Sequence, residues 1–313
     1  MKQPLIILTG PTAVGKTKLS IALAKALNGE IISADSMQVY QHLDIGSAKI
    51  KPTEMSGIPH FLIDVLNPKE AFNVVRFKQM AKEAMEDIYS RGKIPIIVGG
   101  TGFYIQAILN DIDFDENPQS TMIRERLEQL LQEKGATFLH QELSKKDPQA
   151  AEEIHVNNSK RVIRALEFFE QTGSKISSHN QEQREKTSPY DFTYFVLNDR
   201  REYLYKRIDE RVDIMIKQGL VKEVQGLYDQ GCTNEMVSMQ GLGYKEILNY
   251  LAGDCSLEDA IYTIKRDTRH FAKRQLTWFK REREVTWVNK GEFAYDDVAI
   301  LQYMLNKCKG NCH

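Results

Sequence analysis

The sequence has few of the features that mark several large classes of protein. Its 313 residues contain only four cysteines, and their spacing matches no disulfide framework, which is typical of proteins from a reducing compartment. No apolar run approaches the roughly 20 residues of a membrane span. The first residues lead directly into a strand pattern, without the layout of a signal peptide. We therefore expect a cytoplasmic protein without a membrane partner.

Charge of one sign is also missing, since 42 Lys and Arg residues balance 43 Asp and Glu residues and leave a formal net charge of −1. Any contact with nucleic acid must therefore come from local basic patches. At the C-terminus, Cys308, Cys312 and His313 form only half of a metal-binding pattern, so we predict no metal site there. The length allows one large domain or two ordinary ones.

A phosphate-binding loop is present near the N-terminus. An apolar run, Leu5–Leu8, precedes a G-x-x-x-x-G-K-T string, and a helix-forming segment follows it; the string comprises Gly10, Pro11, Thr12, Ala13, Val14, Gly15, Lys16 and Thr17. In this context the loop aims backbone N–H groups at an anion, Lys16 adds a mobile positive charge, and the Thr17 hydroxyl is placed to hold magnesium. The motif predicts a phosphate site, but it does not identify the compound.

Continuous apolar runs alternate with helical patterns in the first hundred residues. The predicted strands are Leu5–Leu8, Ile31–Ser33, Phe61–Val65 and Ile94–Val98, and the predicted helices are Lys16–Leu27, Val74–Ser90 and Gly102–Leu109. Such runs suit strands buried on both faces, so we predict an α/β fold with a P-loop NTPase-like parallel sheet flanked by helices. Three polar turns, at 10–17, 34–36 and 99–102, then meet at the carboxyl edge of the sheet.

Between about Asp113 and Tyr190 the sequence is charged and helical, without strand patterns. Thr121–Glu133 and Ser159–Gln171 predict amphipathic helices, whereas the polar Thr172–Pro189 predicts a mobile loop. A strand pattern returns at Tyr194–Leu197. We predict a core of residues 1–113 and 193–313 that is interrupted by an all-helical insertion domain, residues 114–192. A plain division into two domains is the alternative.

Asp35 directly follows the second predicted strand, close to the predicted phosphate site. It could ligate magnesium, act as a general base, or simply cap the following turn. A hydrolytic P-loop enzyme needs a second acid after an aliphatic strand. Here Ile94–Val98 is followed by Gly-Gly-Thr, and Asp64 lies inside an apolar run. This pattern disfavours a GTPase switch or a motor and indicates a transferase.

Positive charge is concentrated in the C-terminal third. A long helix is predicted from the Ser256 capping box to about Glu284, before a last strand at Val285–Val288; it carries many Lys and Arg residues interleaved with aromatic rings. This pattern suits either contact with nucleic acid or a solvated charged face. Arg207 and Arg211, four residues apart, could clamp a diphosphate or form surface salt bridges.

Several strings, in order, resemble the signatures of the tRNA dimethylallyltransferases, also called tRNA isopentenyltransferases. They are the P-loop, Asp35–Tyr40 with Leu43–Lys49, Gly99–Tyr104, Arg161–Glu167, Gly243–Glu246 and Ala272–Phe279, and the resemblance extends from residue 4 to about 288. Val14, Ser47 and the pair Gln41-His42 depart from the usual residues, and the last puts one local phosphate contact in doubt. The resemblance is to the bacterial type, because no zinc-finger extension follows the core.

The resemblance implies transfer of a dimethylallyl group from dimethylallyl diphosphate to N6 of the adenosine 3′-adjacent to the anticodon, in tRNAs that read codons beginning with U. The P-loop would hold the diphosphate rather than ATP, with Mg²⁺ on Thr17 and with Arg207 and Arg211 as further diphosphate ligands. Asp35, as the general base, and Thr101 would be the catalytic residues.

The resemblance also implies a set of contacts with the anticodon stem-loop of tRNA. The residues are Asp35, Ser36, Met37, Gln38, Thr101, Arg124, Lys160, Arg161, Arg164, Gly243, Tyr244, Lys245, Lys273, Arg274 and Gln275. We expect the enzyme to be a monomer. Two alternatives remain at this point: a small-molecule kinase of the P-loop class, whose lid is the insertion, and an RNA-binding protein with a vestigial P-loop.

Overall fold

A computed structural model describes residues 2–114 and 121–310, and the chain divides into two compact units. The first unit combines Met1–Leu109 with Pro189–His313, and the second is Asn110–Ser188. These bounds lie a few residues before the predicted ones, 114 and 192. Cys312 and His313, where we predict no metal site, lie outside the described residues.

A parallel sheet forms the centre of the first unit. In its described residues the strand order is β3-β2-β4-β1-β5-β6, and every pairing is parallel. The strands are β1 (Gln3–Thr9), β2 (Gly29–Ala34), β3 (His60–Phe61), β4 (Ile94–Gly99), β5 (Tyr190–Asn198) and β6 (Val285–Asn289). The predicted α/β class with a parallel sheet is confirmed.

The helices follow the strands in the first unit and make up the second. In chain order they are α1 (Lys16–Leu27), α2 (Val74–Ser90), α3 (Gly102–Leu109), α4 (Thr121–Lys146), α5 (Pro148–Glu153), α6 (Ser159–Thr172), α7 (Ile176–Glu185), α8 (Arg201–Gln218), α9 (Leu220–Asp229), α10 (Tyr244–Leu251), α11 (Leu257–Phe279) and α12 (Asp297–Gly310). The second unit contains α4 to α7 and has its own small core around Leu139, Leu143 and Leu166.

The strands are buried on both faces because successive side chains alternate across the sheet. Ile7 and Ile97 belong to one apolar cluster, and Ile6 and Leu8 belong to a second cluster on the opposite face. The continuous apolar runs of the sequence are therefore explained by helices that cover both sides of the sheet.

Two predicted elements are wrong in extent. The strand predicted over Phe61–Val65 ends at Phe61, because Leu62 and Asp64 both adopt positive φ angles, 61° and 57°. The helix predicted to reach Glu284 ends at Phe279, and Glu284 has a φ of 55°.

The loop predicted over Thr172–Pro189 is also wrong, because it contains α7. The buried carboxylate of Asp147 accepts hydrogen bonds from the backbone N–H of Ser177 at 2.9 Å and from its hydroxyl at 2.6 Å. This contact fixes the first turn of a helix that its polar sequence does not indicate. The same carboxylate caps α5 through Ala150.

None of the helices in the described part of the chain combines the length and the apolar character that a bilayer crossing requires.

Candidate active site

The loop between β1 and α1 has the backbone geometry of an anion site. Gly10 and Gly15 have φ angles of 145° and 95°. A Cβ on Gly10 would lie 2.4 Å from the carbonyl oxygen of Leu197 on β5, so only glycine fits there. Gly15 is the N-cap of α1 and offers no side-chain acceptor. The first N–H groups of α1 therefore remain open to an anion.

Lys16 lies inside this loop. Its ammonium donates hydrogen bonds to the carbonyl oxygens of Gly10 and Pro11, both at 2.9 Å. Burial lowers the pKa of Lys16 to about 8, with a further lowering by Arg211 and an opposing effect of Asp35. The P-loop lysine therefore lies within electrostatic range of both Arg211 and Asp35, which sequence analysis assigned to the same site.

The two arginines of α8 have different surroundings. Arg207 donates a hydrogen bond to the carbonyl oxygen of Ala13 at 3.0 Å and pairs with the buried Asp199 at 2.5 Å. Arg211 has neither a hydrogen bond nor an ion pair with any described residue, and burial lowers its pKa, as does Arg207. A half-buried guanidinium without a carboxylate is free to bind a ligand anion. Arg211 is therefore the candidate diphosphate ligand, and Arg207 braces the P-loop.

Asp199 is a residue that sequence reasoning missed, although its signal is simple: an acid directly after a largely apolar strand, β5. Besides Arg207, its carboxylate accepts hydrogen bonds from the backbone N–H of Arg200 at 2.7 Å and the Tyr295 hydroxyl at 3.1 Å. These three contacts engage both carboxylate oxygens, so Asp199 orients Arg207 rather than activating water. Asp64 is also committed, because it forms an ion pair with Lys49.

Asp35 begins a tight turn after β2. Its Oδ1 accepts hydrogen bonds from the backbone N–H groups of Met37 at 2.8 Å and Gln38 at 3.3 Å, so the predicted capping contact is present. Its Oδ2 has no hydrogen-bond partner in the described part of the chain. One oxygen thus fixes the carboxylate, and the other remains available as a proton acceptor.

Thr101 lies beside this turn because β2 and β4 are neighbours. Ala34 pairs with Gly99, and the N–H of Thr101 donates to the carbonyl oxygen of Ala34 at 3.3 Å. A Cβ on Gly99 would lie 2.3 Å from that same oxygen, so the close crossing requires glycine. Asp35 and Thr101 therefore occupy adjacent positions at the carboxyl edge of the sheet.

Gln275 connects the P-loop to the β4–α3 turn. Its Oε1 accepts a hydrogen bond from the N–H of Thr12 at 2.9 Å, and its Nε2 donates to the carbonyl oxygen of Gly100 at 3.0 Å. The residue is only 6% exposed. Both ends of the amide form hydrogen bonds inside the protein, so the direct tRNA contact predicted for Gln275 does not fit this position. The side chain instead links two active-site loops.

The two halves of the basic helix α11 differ in whether their cations form salt bridges. In its first half, Lys265 and Arg269 pair with Asp213 and Asp209 of α8, at 2.6 and 2.5 Å. In its second half, Lys273 and Arg274 are exposed and form no salt bridge with a described residue, although Arg274 lies within electrostatic range of Asp267. These two border a groove of about 390 Å³ whose lining comprises His270, Lys273, Arg274, Thr277, Trp278 and Arg281. The second half alone fits a polyanion.

The residues of the second unit that were predicted to bind tRNA fall into two groups, one that forms salt bridges and one that is exposed. Arg124 and Arg164 pair with the buried carboxylate of Glu167, at 2.8 and 3.2 Å. Lys160 and Arg161 are exposed, and no described residue pairs with them. The first two arginines therefore already serve the packing of α4 on α6, and the second two are available for phosphates.

The segment Gly243-Tyr244-Lys245 is mostly internal. Tyr244 is fully buried, so its side chain does not fit the tRNA contact predicted for this residue. Gly243 has a φ of 97° and is the N-cap of α10, a position that favours glycine. Lys245 is exposed and remains available as a phosphate ligand. Ser36 and Met37 are half-buried in the Asp35 turn.

Comparison with known proteins identifies the family to which the chain belongs. The family model described as IPP transferase matches residues 38–282. A tRNA dimethylallyltransferase of Lachnoclostridium phytofermentans is 63% identical over 303 residues, which cover 97% of this chain and 96% of the relative. This chain belongs to the IPP transferase family. The family resemblance predicted from the sequence motifs is thereby confirmed.

Solved structures of IPP transferase family members agree with the fold. The tRNA isopentenylpyrophosphate transferase of Bacillus halodurans is 43% identical, with a TM-score of 0.74, and the match covers 99% of this chain and 98% of that one. A eukaryotic dimethylallyltransferase acting on tRNA is 34% identical, with a TM-score of 0.78, and covers 92% and 74%.

Proposed function

We propose that this protein is a tRNA dimethylallyltransferase. It transfers a dimethylallyl group from dimethylallyl diphosphate to N6 of the adenosine 3′-adjacent to the anticodon in tRNAs that read codons beginning with U. The observation that carries the proposal is the position of Lys16, a cation without an ion-pair partner among the described residues, within electrostatic range of both Arg211 and Asp35. The names of the relatives support the same activity.

The P-loop stabilises the leaving group. As the allylic C–O bond breaks, negative charge grows on the diphosphate, which accepts hydrogen bonds from the loop N–H groups, Lys16 and Arg211. Lys16 must first release the carbonyl oxygens of Gly10 and Pro11. Loss of one such donor typically costs about 3 kcal/mol of transition-state stabilisation.

A magnesium ion fits this arrangement. Mg²⁺ keeps several waters and takes one or two protein ligands together with substrate phosphates. The Thr17 hydroxyl is exposed at the first turn of α1, and no group of three His, Cys, Asp or Glu in the described ranges could form a separate protein-only site. Thr17 and the diphosphate would therefore hold the ion, which neutralises charge on the diphosphate when it is bound.

Asp35 removes the proton. The adenine N6 forms a bond to the allyl carbon and loses a proton to the free Oδ2, while Oδ1 stays in the turn. Thr101, which lies beside the turn, positions the base through its hydroxyl. No water needs activation, and this agrees with Asp199 and Asp64 being engaged elsewhere.

The exposed cations bind the anticodon stem-loop. Lys245, Lys273 and Arg274 in the first unit, with Lys160 and Arg161 in the second, contact phosphates, and the target adenine leaves the stack to reach Asp35. We also propose that the enzyme acts as a monomer in the cytoplasm.

Incubation with dimethylallyl diphosphate, Mg²⁺ and an anticodon stem-loop tests the proposal. We expect mass spectrometry to show one dimethylallyl group on the adenosine 3′ of the anticodon, and none when guanosine replaces that adenosine. Phosphoryl transfer from ATP to a metabolite, without prenylation of RNA, would instead support a P-loop kinase.

A further inference from the structure

Glu223, on α9, binds a loop that sequence analysis did not connect with it. Its Oε2 accepts hydrogen bonds from the backbone N–H groups of Asp44 and Ile45, at 3.2 and 2.7 Å, and its Oε1 accepts one from Gly46 at 3.1 Å. Three successive N–H groups therefore converge on one carboxylate, as they do in backbone nests that bind anions.

Tyr244 supplies a fourth hydrogen bond. Its hydroxyl donates to Oε1 of Glu223 at 2.7 Å. Burial raises the pKa of Tyr244 well above its ordinary value, and Glu223 raises it further, so the hydroxyl remains a donor. The ring packs directly on Gly46, where a Cβ would lie 2.5 Å from a ring carbon. Gly46 thus lets the tyrosine and the carboxylate reach the same loop.

The far end of this loop holds the turn that contains Asp35. The side-chain Nε2 of Gln38 donates hydrogen bonds to the carbonyl oxygens of Ser47 at 3.2 Å and Ala48 at 3.5 Å. The backbone N–H of Gln38 in turn donates to Oδ1 of Asp35. Two sets of hydrogen bonds, joined by the backbone of the loop, therefore connect Glu223 to Asp35.

A packing contact supports the same turn. Met37, whose N–H donates to Asp35, has its sulfur 2.6 Å from the point that a Cβ on Gly241 would occupy. The same Cβ would lie 3.3 Å from Tyr244. The segment from Gly241 to Tyr244 thus packs against the catalytic turn and binds Glu223.

We propose that Glu223, with Tyr244, is a positioning residue that fixes the Asp35–Gln38 turn for proton removal from adenine. Its four donors leave no lone pair for substrate, so it acts through the turn and not by touching the reacting atoms. This role rests on the proposed function, because it assumes that Asp35 accepts the N6 proton.

Glu223→Gln is the first test, because the amide turns one of its two acceptors into a donor that faces backbone N–H groups. A displacement of about 1 Å costs roughly hundredfold in rate, so we expect kcat to fall about tenfold to hundredfold. The KM for dimethylallyl diphosphate and the Kd for tRNA should stay within about twofold of wild type. Asp229→Asn is the matched control, since Asp229 lies exposed on the same helix and, among the residues that the structure describes, accepts a hydrogen bond only from Gln225.

A double-mutant cycle with Gln38→Ala tests the path. If Glu223 acts through Gln38, the double variant should lose no more rate than the worse single variant. A double variant whose loss of rate equals the product of the two single losses would overturn the proposal. A kcat for Glu223→Gln equal to that of wild type would also overturn it.

Hydrogen exchange gives a readout that does not depend on catalysis. In Glu223→Gln, peptides that cover residues 35–38 and 43–49 should exchange faster, while those of α1 should not change. An inactive wild-type enzyme would refute the proposed function, whereas unchanged exchange at residues 35–38 in an active one would refute this inference alone.

Discussion

The pKa of Lys16 makes diphosphate binding depend on pH. With a pKa of about 8 in the free protein, the ammonium is about nine-tenths charged at pH 7 and about one-tenth charged at pH 9. If the charged form binds dimethylallyl diphosphate, the apparent Kd should rise about tenfold across this range. The ligand contributes little, because the second ionisation of a phosphate ester occurs near pH 6.

The Lys16→Ala variant is the control for the pH dependence of the Kd. Hydrogen bonds to charged groups are worth about 1.5–3 kcal/mol, so this variant should bind roughly tenfold to hundredfold more weakly at pH 7. Its Kd should not change between pH 7 and 9.5, and the two curves should converge at high pH. Calorimetric titration without tRNA and without Mg²⁺ measures both. A wild-type Kd that does not vary from pH 7 to 9.5 would refute the assignment of the charge to diphosphate binding.

The same shift has a consequence of defined sign for the stability of the free protein. The unfolded chain keeps the Lys16 proton up to pH 10.5, whereas the folded protein loses it near pH 8. The folded state binds fewer protons in this window, so the contribution of Lys16 to the unfolding free energy rises with pH, by about 3 kcal/mol in total. Denaturant titration of wild type against Lys16→Ala isolates this contribution.

Three further predictions concern the other assigned residues. Asp35→Asn should lower kcat at least about hundredfold and leave the Kd for tRNA within about twofold, because only the proton acceptor changes; an equal loss of both in single-turnover and filter-binding assays would make Asp35 structural. Arg211→Gln should raise the KM for dimethylallyl diphosphate at least about tenfold and leave thermal stability unchanged or higher, because Arg211 has no partner to lose; a lower melting temperature would contradict this. Lys273→Ala with Arg274→Ala should weaken tRNA binding and reduce the slope of log K against log salt by about 1.5–2, whereas Lys217→Ala with Lys222→Ala should not; an unchanged slope would make α11 a solvated face.

Local patterns were sufficient for the elements around the phosphate site. The predicted bounds of α1, α2 and α3 match those of the structure. α1 and α2 start directly after Gly15 and Asn73, and α3 is a short apolar run that follows the Gly-Gly-Thr turn. The P-loop and Asp35 follow predicted strands, and the carboxyl ends of parallel strands meet at one edge. Their proximity therefore followed from topology alone.

Contacts distant in sequence were not predictable in this way. Nothing near Gln275 shows that its amide joins Thr12 to Gly100, and nothing near Tyr244 shows that it packs on Gly46. Both were assigned to tRNA through the family resemblance, although burial decides the roles of their side chains. The position of α7 likewise depends on Asp147, thirty residues away from Ser177.

The sequence analysis assigned too many cations to substrate binding for a related reason. Composition counts cations but does not show which carboxylates they meet in the fold. Arg124 and Arg164 form salt bridges with Glu167, and Arg207 forms one with Asp199, so these three arginines have partners within the protein. Arg211, Lys160 and Lys273, which sequence analysis could not separate from them, are among the cations that remain available for substrates.

The stoichiometry of a single reaction tests the central claim most directly. Wild-type protein, dimethylallyl diphosphate and an anticodon stem-loop are mixed, and released diphosphate and modified adenosine are measured in the same samples. We predict one diphosphate for each N6-dimethylallyl adenosine, with both products lost in Asp35→Asn. Release of diphosphate without modification of the adenosine, in wild type, would contradict it.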